Sequence, residues 1–330
     1  MSAHLILSRP KWLFMGTALI LWGLALNPAD AQVARIEVHS FQSTTLTDQE
    51  FLSGKKDGKP VVLAGELRIP TAGTDRLPAV VLVHGSGGIV SFVDAWAQWL
   101  NGLGVATFEM DSFTGRGIVS TTNDQAQLSR LAQIGDSYRA LELLAKHPRI
   151  DPERIVLMGF SRGGTVVLFA SLQRFQRMYG PAGAAFAAYI PFYPDCGTTY
   201  IDEDEAMNKP IRIFTGSLDD YQPPAPCRVY VERLRKAGKD AKLTEYAGAR
   251  HVFDWEAMKT PTTFDKAQNV SQCRLEESPD HRIVNSQTKQ MFTYSDPCVK
   301  LGETVAYDAQ AHSESKKAVQ ELLTAVFKLK

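Results

Sequence analysis

The chain predicts an α/β fold in which a mostly parallel central sheet carries helices on both faces. Three observations lead there. Short, continuous apolar runs recur along the sequence and read as buried strands. Stretches with apolar residues at helical spacing lie between them. One strand-to-helix junction carries Gly159-Phe160-Ser161-Arg162-Gly163, a serine turn with glycines two positions to either side. Strands alternating with helices imply parallel pairing through crossover connections. The 330 residues suffice for one large domain with a sizeable core. No internal repeat, low-complexity segment or linker divides them.

Taken in order, Val61 to Ile69 reads as an early strand, antiparallel and near the sheet edge. Pro78 to His84 is a continuous apolar run and so a buried strand. Phe92 to Leu103 reads as a helix and Val105 to Phe108 as a strand. Gln127 to His147 carries Leu128, Leu131, Ile134, Tyr138, Leu141 and Leu144 at helical spacing and is stopped by Pro148. The strand from Ile155 leads into the serine turn and a helix follows it. Ala184 to Ile190 and Ile211 to Thr215 are further strands. Pro224 to Ala237 is a helix, Ala241 to Tyr246 a last strand, and Glu303 to Lys330 a long closing helix. Between them, Thr260 to Gly302 is polar and irregular, an unusual length of such chain inside a domain. It reads equally as a lid or as a stapled surface excursion.

The first 31 residues read as a secretory signal peptide. Arg9 and Lys11 supply the basic start, Trp12 to Leu26 is uncharged, and Ala29-Asp30-Ala31 fits the small-x-small cleavage pattern. The apolar stretch is 15 residues, where a membrane span needs roughly 20; an uncleaved anchor is the alternative. The residue directly after the cleavage site is Gln32 and not a cysteine, which argues against a lipoprotein anchor. The expected organisation is a signal peptide over 1–31 and a single domain over 32–330, exported to the periplasm or secreted, with no membrane association after cleavage.

Export gives the four cysteines a meaning. Cys196, Cys227, Cys273 and Cys298 form an even set in an oxidising compartment, which implies two disulfides. Of three possible connectivities, the sequence-local pairs Cys196–Cys227 and Cys273–Cys298 are expected. A zinc site is the competing reading, but no Cys-x-x-Cys pair or cysteine–histidine spacing supports it. Composition is ordinary, 44% hydrophobic and 22% charged. Net charge is zero, so no nucleic-acid partner is implied.

The serine turn carries the chemistry. Glycines flank the serine because any side chain there would collide with a neighbouring strand or helix. The turn lifts the hydroxyl above the sheet and sets a helix N-terminus, with its free N–H groups, beneath it. A serine hydroxyl also needs a base, and the base an orienting carboxylate. In chain order an acid follows at Asp219-Asp220, just past a strand end, and a histidine at His251, just past the last strand. All three positions lie at the carboxyl rim of the sheet, where ligands bind in open parallel sheets. Asp219 is preferred over Asp220, and His251 over His281 and His312, on position. Two backbone N–H groups for an oxyanion are expected from Arg162 and from Ser86 in the glycine loop His84-Gly85-Ser86-Gly87-Gly88. Trp255 either lines the site or packs beneath it, and His84 braces its loop.

These motifs, with Gly216-Ser-Leu-Asp219 and His251-Val-Phe-Asp254, resemble the dienelactone hydrolase family of α/β-hydrolases over roughly residues 60–255 plus the last helix. The resemblance implies the α/β-hydrolase fold and maps the family's acid onto Asp219. The best-known members use a cysteine nucleophile and a glutamate in the oxyanion loop, where this chain has Ser161 and Gly85. They bind a substrate carboxylate with two arginines. Arg116 resembles one of these, and the other has no counterpart after His251. The expected function is a serine hydrolase that cleaves carboxylic esters or lactones through an acyl-enzyme. A small-molecule ester or lactone is its substrate, and no cofactor or metal takes part. A serine peptidase of the oligopeptidase type and a non-catalytic binding protein of the same fold are the alternatives.

Overall fold

Strand β3 (Leu77–Val83) shows why a continuous apolar run is a strand here. Ala79, Val81 and Val83 point into one core, while Val80 and Leu82 point into another on the opposite face. Every residue is needed because both faces are covered. Burying each such side chain contributes about 1.5–3 kcal/mol. The structure, a computed structural model, describes Met1 and residues 33–329. The expected signal segment therefore lies, apart from Met1, outside the described residues. From residue 33 on the chain belongs to one compact unit. Among the described residues no helix is long and apolar enough to cross a membrane.

Before β3 come β1 (Arg35–Thr45), the short helix α1 (Asp48–Leu52) and β2 (Lys59–Ile69). After it come α2 (Ser91–Gly102), β4 (Ala106–Asp111), α3 (Arg130–Ala145), β5 (Ile150–Phe160), α4 (Arg162–Ala170) and α5 (Gln173–Tyr179). Then follow β6 (Tyr189–Phe192), the two-residue β7 (Thr198–Thr199), β8 (Ile211–Gly216), α6 (Pro224–Lys236) and β9 (Ala241–Tyr246). Eight of these strands form one sheet in the order β1-β2-β4-β3-β5-β6-β8-β9. Only the β1–β2 and β2–β4 pairings are antiparallel. The other five are parallel, which sends every βα turn from β3 onward to the same rim. This is the α/β-hydrolase fold.

Helix α3 packs Leu131, Ile134, Tyr138, Leu141 and Leu144 into the first core. It starts at Arg130, later than its apolar spacing suggests, because the Ser129 hydroxyl caps it by accepting from the N–H groups of Leu131 and Ala132. On the other face α2 buries Phe92, Trp96 and Leu100 beside the last helix, α7 (Ala309–Phe327).

Four details depart from the sequence reading. The sheet edge is β1, paired with β2 over its whole length from Arg35–Ile69 to Thr45–Lys59; the sequence shows no strand there because β1 buries only Phe41 and Ser43. Helix α5 is likewise unexpected. The strand expected over 184–190 is shifted to Tyr189–Phe192. Helix α7 begins at Ala309, where Asp308 caps it, and Thr304–Val305 is extended instead.

Extension of 304–305 follows from how the irregular excursion closes. Its strands are β10 (Thr262–Thr263), β11 (Gln268–Asn269), β12 (Leu275–Glu277), β13 (Ile283–Asn285), β14 (Lys300–Leu301) and β15 (Thr304–Val305). The outgoing β10 and β11 pair antiparallel with the returning β15 and β14. At the far end β12 pairs with β13 and lies parallel to β7. The Cys273–Cys298 disulfide crosses the base of that far end, among Val270, Leu275, Phe292 and Tyr294. Arg174 of α5 clamps it to the main body through a two-pronged pair with Glu277, at 2.7 and 2.8 Å.

Candidate active site

Ser161 sits between β5 and α4 with φ 54° and ψ −116°, a conformation a side-chain-bearing residue adopts only when its surroundings force it. The forcing is visible at the glycines. A Cβ on Gly159 would come within 2.6 Å of the Gly163 carbonyl oxygen, and one on Gly163 would strike the Val83 carbonyl oxygen. No alanine fits either place without moving a strand or helix. The serine N–H donates to the Phe192 carbonyl at 3.0 Å, tying the turn to β6.

His251 Nε2 lies 2.9 Å from Ser161 Oγ, and its Nδ1 lies 2.7 Å from Asp219 Oδ2. All three residues are buried. The other Asp219 oxygen accepts from the N–H groups of Tyr221 and Gln222, at 2.9 and 2.7 Å, which fixes the carboxylate. Burial pushes the imidazole toward its neutral form. The charge and hydrogen bond of Asp219, with Glu303 and Asp220 beyond, outweigh burial and raise its pKa. Tyr193 and Tyr221 pack edge-on against the ring, with centroids 4.7 and 5.1 Å away. Asp220 turns away: its carboxylate accepts from the Thr304 N–H at 2.9 Å and its carbonyl from Asn269, so it ties the excursion to the acid loop.

Beneath the histidine loop lies a buried acid that the sequence reading missed as such. Asp254 accepts from Trp96 Nε1 at 2.7 Å and from the Tyr193 hydroxyl at 2.8 Å. Burial raises its pKa to about 6 against those two hydrogen bonds. Val252, between His251 and Phe253, is held at φ 57°, a strained value for a β-branched residue.

The glycine loop passes directly over the serine, where a Cβ on Gly85 would lie 3.5 Å from Ser161 Cβ. Arg162 opens α4, so its N–H has no partner within the helix. Its side chain does something else. The guanidinium is buried and meets only neutral acceptors: Gln133 at 2.5 Å, Gln125 at 2.7 Å and the Leu128 carbonyl. Burial, with the Arg130 charge nearby, lowers its pKa to about 10. Gln125 passes the contact on, donating to Ser86 Oγ at 2.9 Å and to the Tyr221 hydroxyl at 3.1 Å. One glutamine thus links the residue after the serine, the glycine loop and the acid loop. His84 holds the loop from behind, donating from Nδ1 to the Gly85 carbonyl and accepting from the Ser112 N–H at Nε2.

A cavity of about 350 Å³ opens over Ser161 and His251. The glycine loop, Phe92, Trp255 and Tyr221 wall it on the sheet side, and Phe264 and Glu303 on the excursion side. Trp255 is therefore a wall, its ring tilted against Phe92 with centroids 5.5 Å apart and its indole N–H donating to Ser91 Oγ. Arg116, whose motif resembles a clamp for a substrate carboxylate, is not among the cavity residues. Its guanidinium grips Asp136 with two bonds of 2.8 and 3.0 Å and also meets Thr45 and the Ser112 carbonyl. Both side chains are buried, so this arginine braces β1 against α3. His281 and His312 also lie elsewhere, the first against Glu277 and Arg174, the second against Trp96 and Tyr307.

Cys196 is joined to Cys227, which anchors the first turn of α6 to the loop after β6. Among the described residues, Glu37, His39 and His147 converge as a metal-sized group. The Arg149 N–H donates to His147 Nδ1, so its Nε2 carries the proton and points at Glu37 Oε2, 3.1 Å away. Arg35 pairs with the other Glu37 oxygen. His39 Nε2 also lies 2.6 Å from Glu37 Oε2, so the two imidazoles and Arg35 already share that carboxylate and the group is not a set of free ligands.

A serine on an elbow, a carboxylate-oriented imidazole and a glycine loop at the rim of this sheet define a hydrolase of the α/β-hydrolase class. Residues 63–277 match the dienelactone hydrolase family, and the chain belongs to it. Solved structures similar in fold include a dienelactone hydrolase-like promiscuous phosphotriesterase from metagenomic libraries, 17% identical, with 88% of this chain and 98% of that chain covered and a TM-score of 0.55. Another is named m3DLH, 19% identical, with 88% and 98% covered and a TM-score of 0.57. No curated protein matches the chain.

Proposed function

We propose that the protein is a serine hydrolase of carboxylic esters or lactones. Ser161 Oγ attacks the carbonyl carbon while His251 Nε2 takes its proton, and Asp219 holds the imidazole in the tautomer that leaves Nε2 free. The developing oxyanion meets the N–H groups of Arg162 and Ser86. Collapse expels the alcohol, which takes the proton back from His251, and leaves an acyl group on Ser161. Water, deprotonated by His251, then releases the acid. The observation that carries this reading is the unbroken line of 2.9 and 2.7 Å contacts from Ser161 through His251 to Asp219. Family membership supports the hydrolase class. Two disulfides support the further proposal that residues 32–330 work as one exported domain after loss of the leader.

Purified protein is expected to hydrolyse short para-nitrophenyl esters and to be labelled at Ser161 by a fluorophosphonate. Ser161→Ala should lose both, with kcat down about a million-fold. Full activity in that variant refutes the assignment. Cleavage of a peptide library without ester hydrolysis would shift the reading to a peptidase.

A further inference from the structure

Glu303 is the cavity residue that the proposed chemistry leaves unused. It lines the same space as Ser161 and His251 and is 9% exposed. Its Oε2 is buried with no hydrogen-bond partner, and its carboxylate makes no ion pair among the described residues. Its backbone is firmly held, the carbonyl accepting from the Phe264 N–H at 2.9 Å and the next two residues forming β15 against β10. Val305 bridges to His251 itself. The carboxylate is thus presented to the cavity by a fixed frame. An unpaired buried carboxylate costs free energy, and groups that carry this cost without an internal partner are concentrated at binding and catalytic sites.

The surroundings say what would complete it. No lysine or arginine lines the cavity, and Arg116, the one cation expected there, is engaged with Asp136. Burial raises the Glu303 pKa to about 6, so above that pH, with the imidazole neutral, Glu303 and the Asp219 behind it make the site negative. Phe92, Trp255 and Phe264 supply aromatic walls. A carboxylate among aromatic rings is the environment that binds an ammonium, through charge pairing and attraction to the ring faces. We infer that Glu303, with these aromatic walls, selects esters that carry a cationic ammonium group, and excludes esters that carry a carboxylate. The inference rests on the ester hydrolase reading for its substrate and reaches the opposite charge preference from a carboxylate clamp. The modest cavity limits the chain between ammonium and ester to a few carbons.

The test compares three para-nitrophenyl esters of similar size: trimethylammonio-butanoate, its isostere dimethylhexanoate with carbon in place of nitrogen, and the glutarate half-ester. Rates are divided by each ester's hydroxide-catalysed rate. In the native enzyme kcat/KM for the ammonium ester should exceed that for the isostere by about tenfold or more, with the glutarate below both. Glu303→Gln should cut the first ratio at least threefold, leaving only what the ring faces supply, and because a ratio is read, a uniform loss of activity does not matter. Equal rates for the first two esters in native enzyme, preference for glutarate, or an ammonium preference undiminished in Glu303→Gln overturns the inference. If no ester is cleaved, the hydrolase reading fails, and the inference is decided by calorimetric binding of butyltrimethylammonium: about tenfold weaker in Glu303→Gln supports it, and equal binding overturns it.

Discussion

Ser161 and Asp219 follow β5 and β8, and His251 follows β9, three parallel strands of one sheet. Phe264 and Glu303 stand on an excursion whose strands have two or three residues each. The first set is positioned by long ladders with a core on either face. The second is positioned by a disulfide, one arginine–glutamate clamp and a handful of contacts to the acid loop. Ser161 and His251 of the first set meet the second in one cavity. The contrast teaches a division of labour: reacting groups need placement within a fraction of an ångström and sit on rigid elements, whereas groups that recognise a substituent tolerate an irregular support.

The adjacent acids give the sharpest way to break that division, because Asp219 belongs to the sheet rim and Asp220 to the excursion's tether. Asp219→Asn should lower kcat about ten-thousand-fold, since the amide favours the wrong imidazole tautomer. Asp220→Asn should change kcat by no more than about threefold, because the amide oxygen can still accept the Thr304 N–H and only the outer of the two Asp charges near the imidazole is removed. The pH profile separates them again. A base must be neutral to act, and Asp219 raises the imidazole pKa above its ordinary value near 6.5. The acidic limb of kcat/KM should therefore lie above pH 6.5 in native enzyme, move down slightly in Asp220→Asn, and move down further in whatever activity Asp219→Asn retains. Equal losses in the two variants would erase the distinction between the regions.

How far the sequence discloses each region follows from the same contrast. Strands β3 and β5 are legible because burial on both faces demands an uninterrupted apolar run, and α3 because one face repeats at helical spacing. The elbow is legible because two glycines are sterically required. Edge strand β1 is not, since it buries only Phe41 and Ser43 and owes its place to backbone pairing with β2. Gln125 and Glu303 escape for a related reason, since each acts through partners far along the chain, Ser86 and the cavity around His251, and no local pattern marks them; Asp254 stands in a legible motif, but its partner Trp96 does not. Arg116 shows the converse. Its local motif resembles a substrate clamp, and what decides its role is Asp136, which lies on another element and takes both arms of its guanidinium.

Arg116 also tests the scaffold side of the comparison. Truncating it to alanine leaves Asp136 buried with only the Ser43 hydroxyl, 2.5 Å away, as a side-chain partner. Loss of one member of a buried pair costs about 3–5 kcal/mol. Denaturant unfolding of Arg116→Ala should show that loss, while the relative rates on anionic, neutral and cationic esters stay as in native enzyme. A selective fall for carboxylate-bearing esters would instead return Arg116 to the site.

The smallest effect is expected from opening the excursion. Cys273 and Cys298 close a segment of 25 residues, and the loop-entropy account assigns such a link about 3–4 kcal/mol of stabilisation. In Cys273→Ser/Cys298→Ser that loss should fall on the excursion itself, because its cluster around Val270, Leu275, Phe292 and Tyr294 is separate from the cores that flank the sheet. Hydrogen exchange should accelerate over residues 262–305 and stay slow in β3 and β5. Turnover should follow the same boundary. Ser161, His251 and Asp219 keep their supports, so kcat with a neutral ester should stay within about threefold. Phe264 and Glu303 keep their own β10–β15 pairing but lose the closed segment behind it, so KM for a substrate that uses the excursion wall should rise about three- to tenfold. A matched fall in kcat would show that the excursion positions the reacting groups as well, through Thr304 on Asp220 and Val305 against His251. The two regions would then have to be treated as one machine.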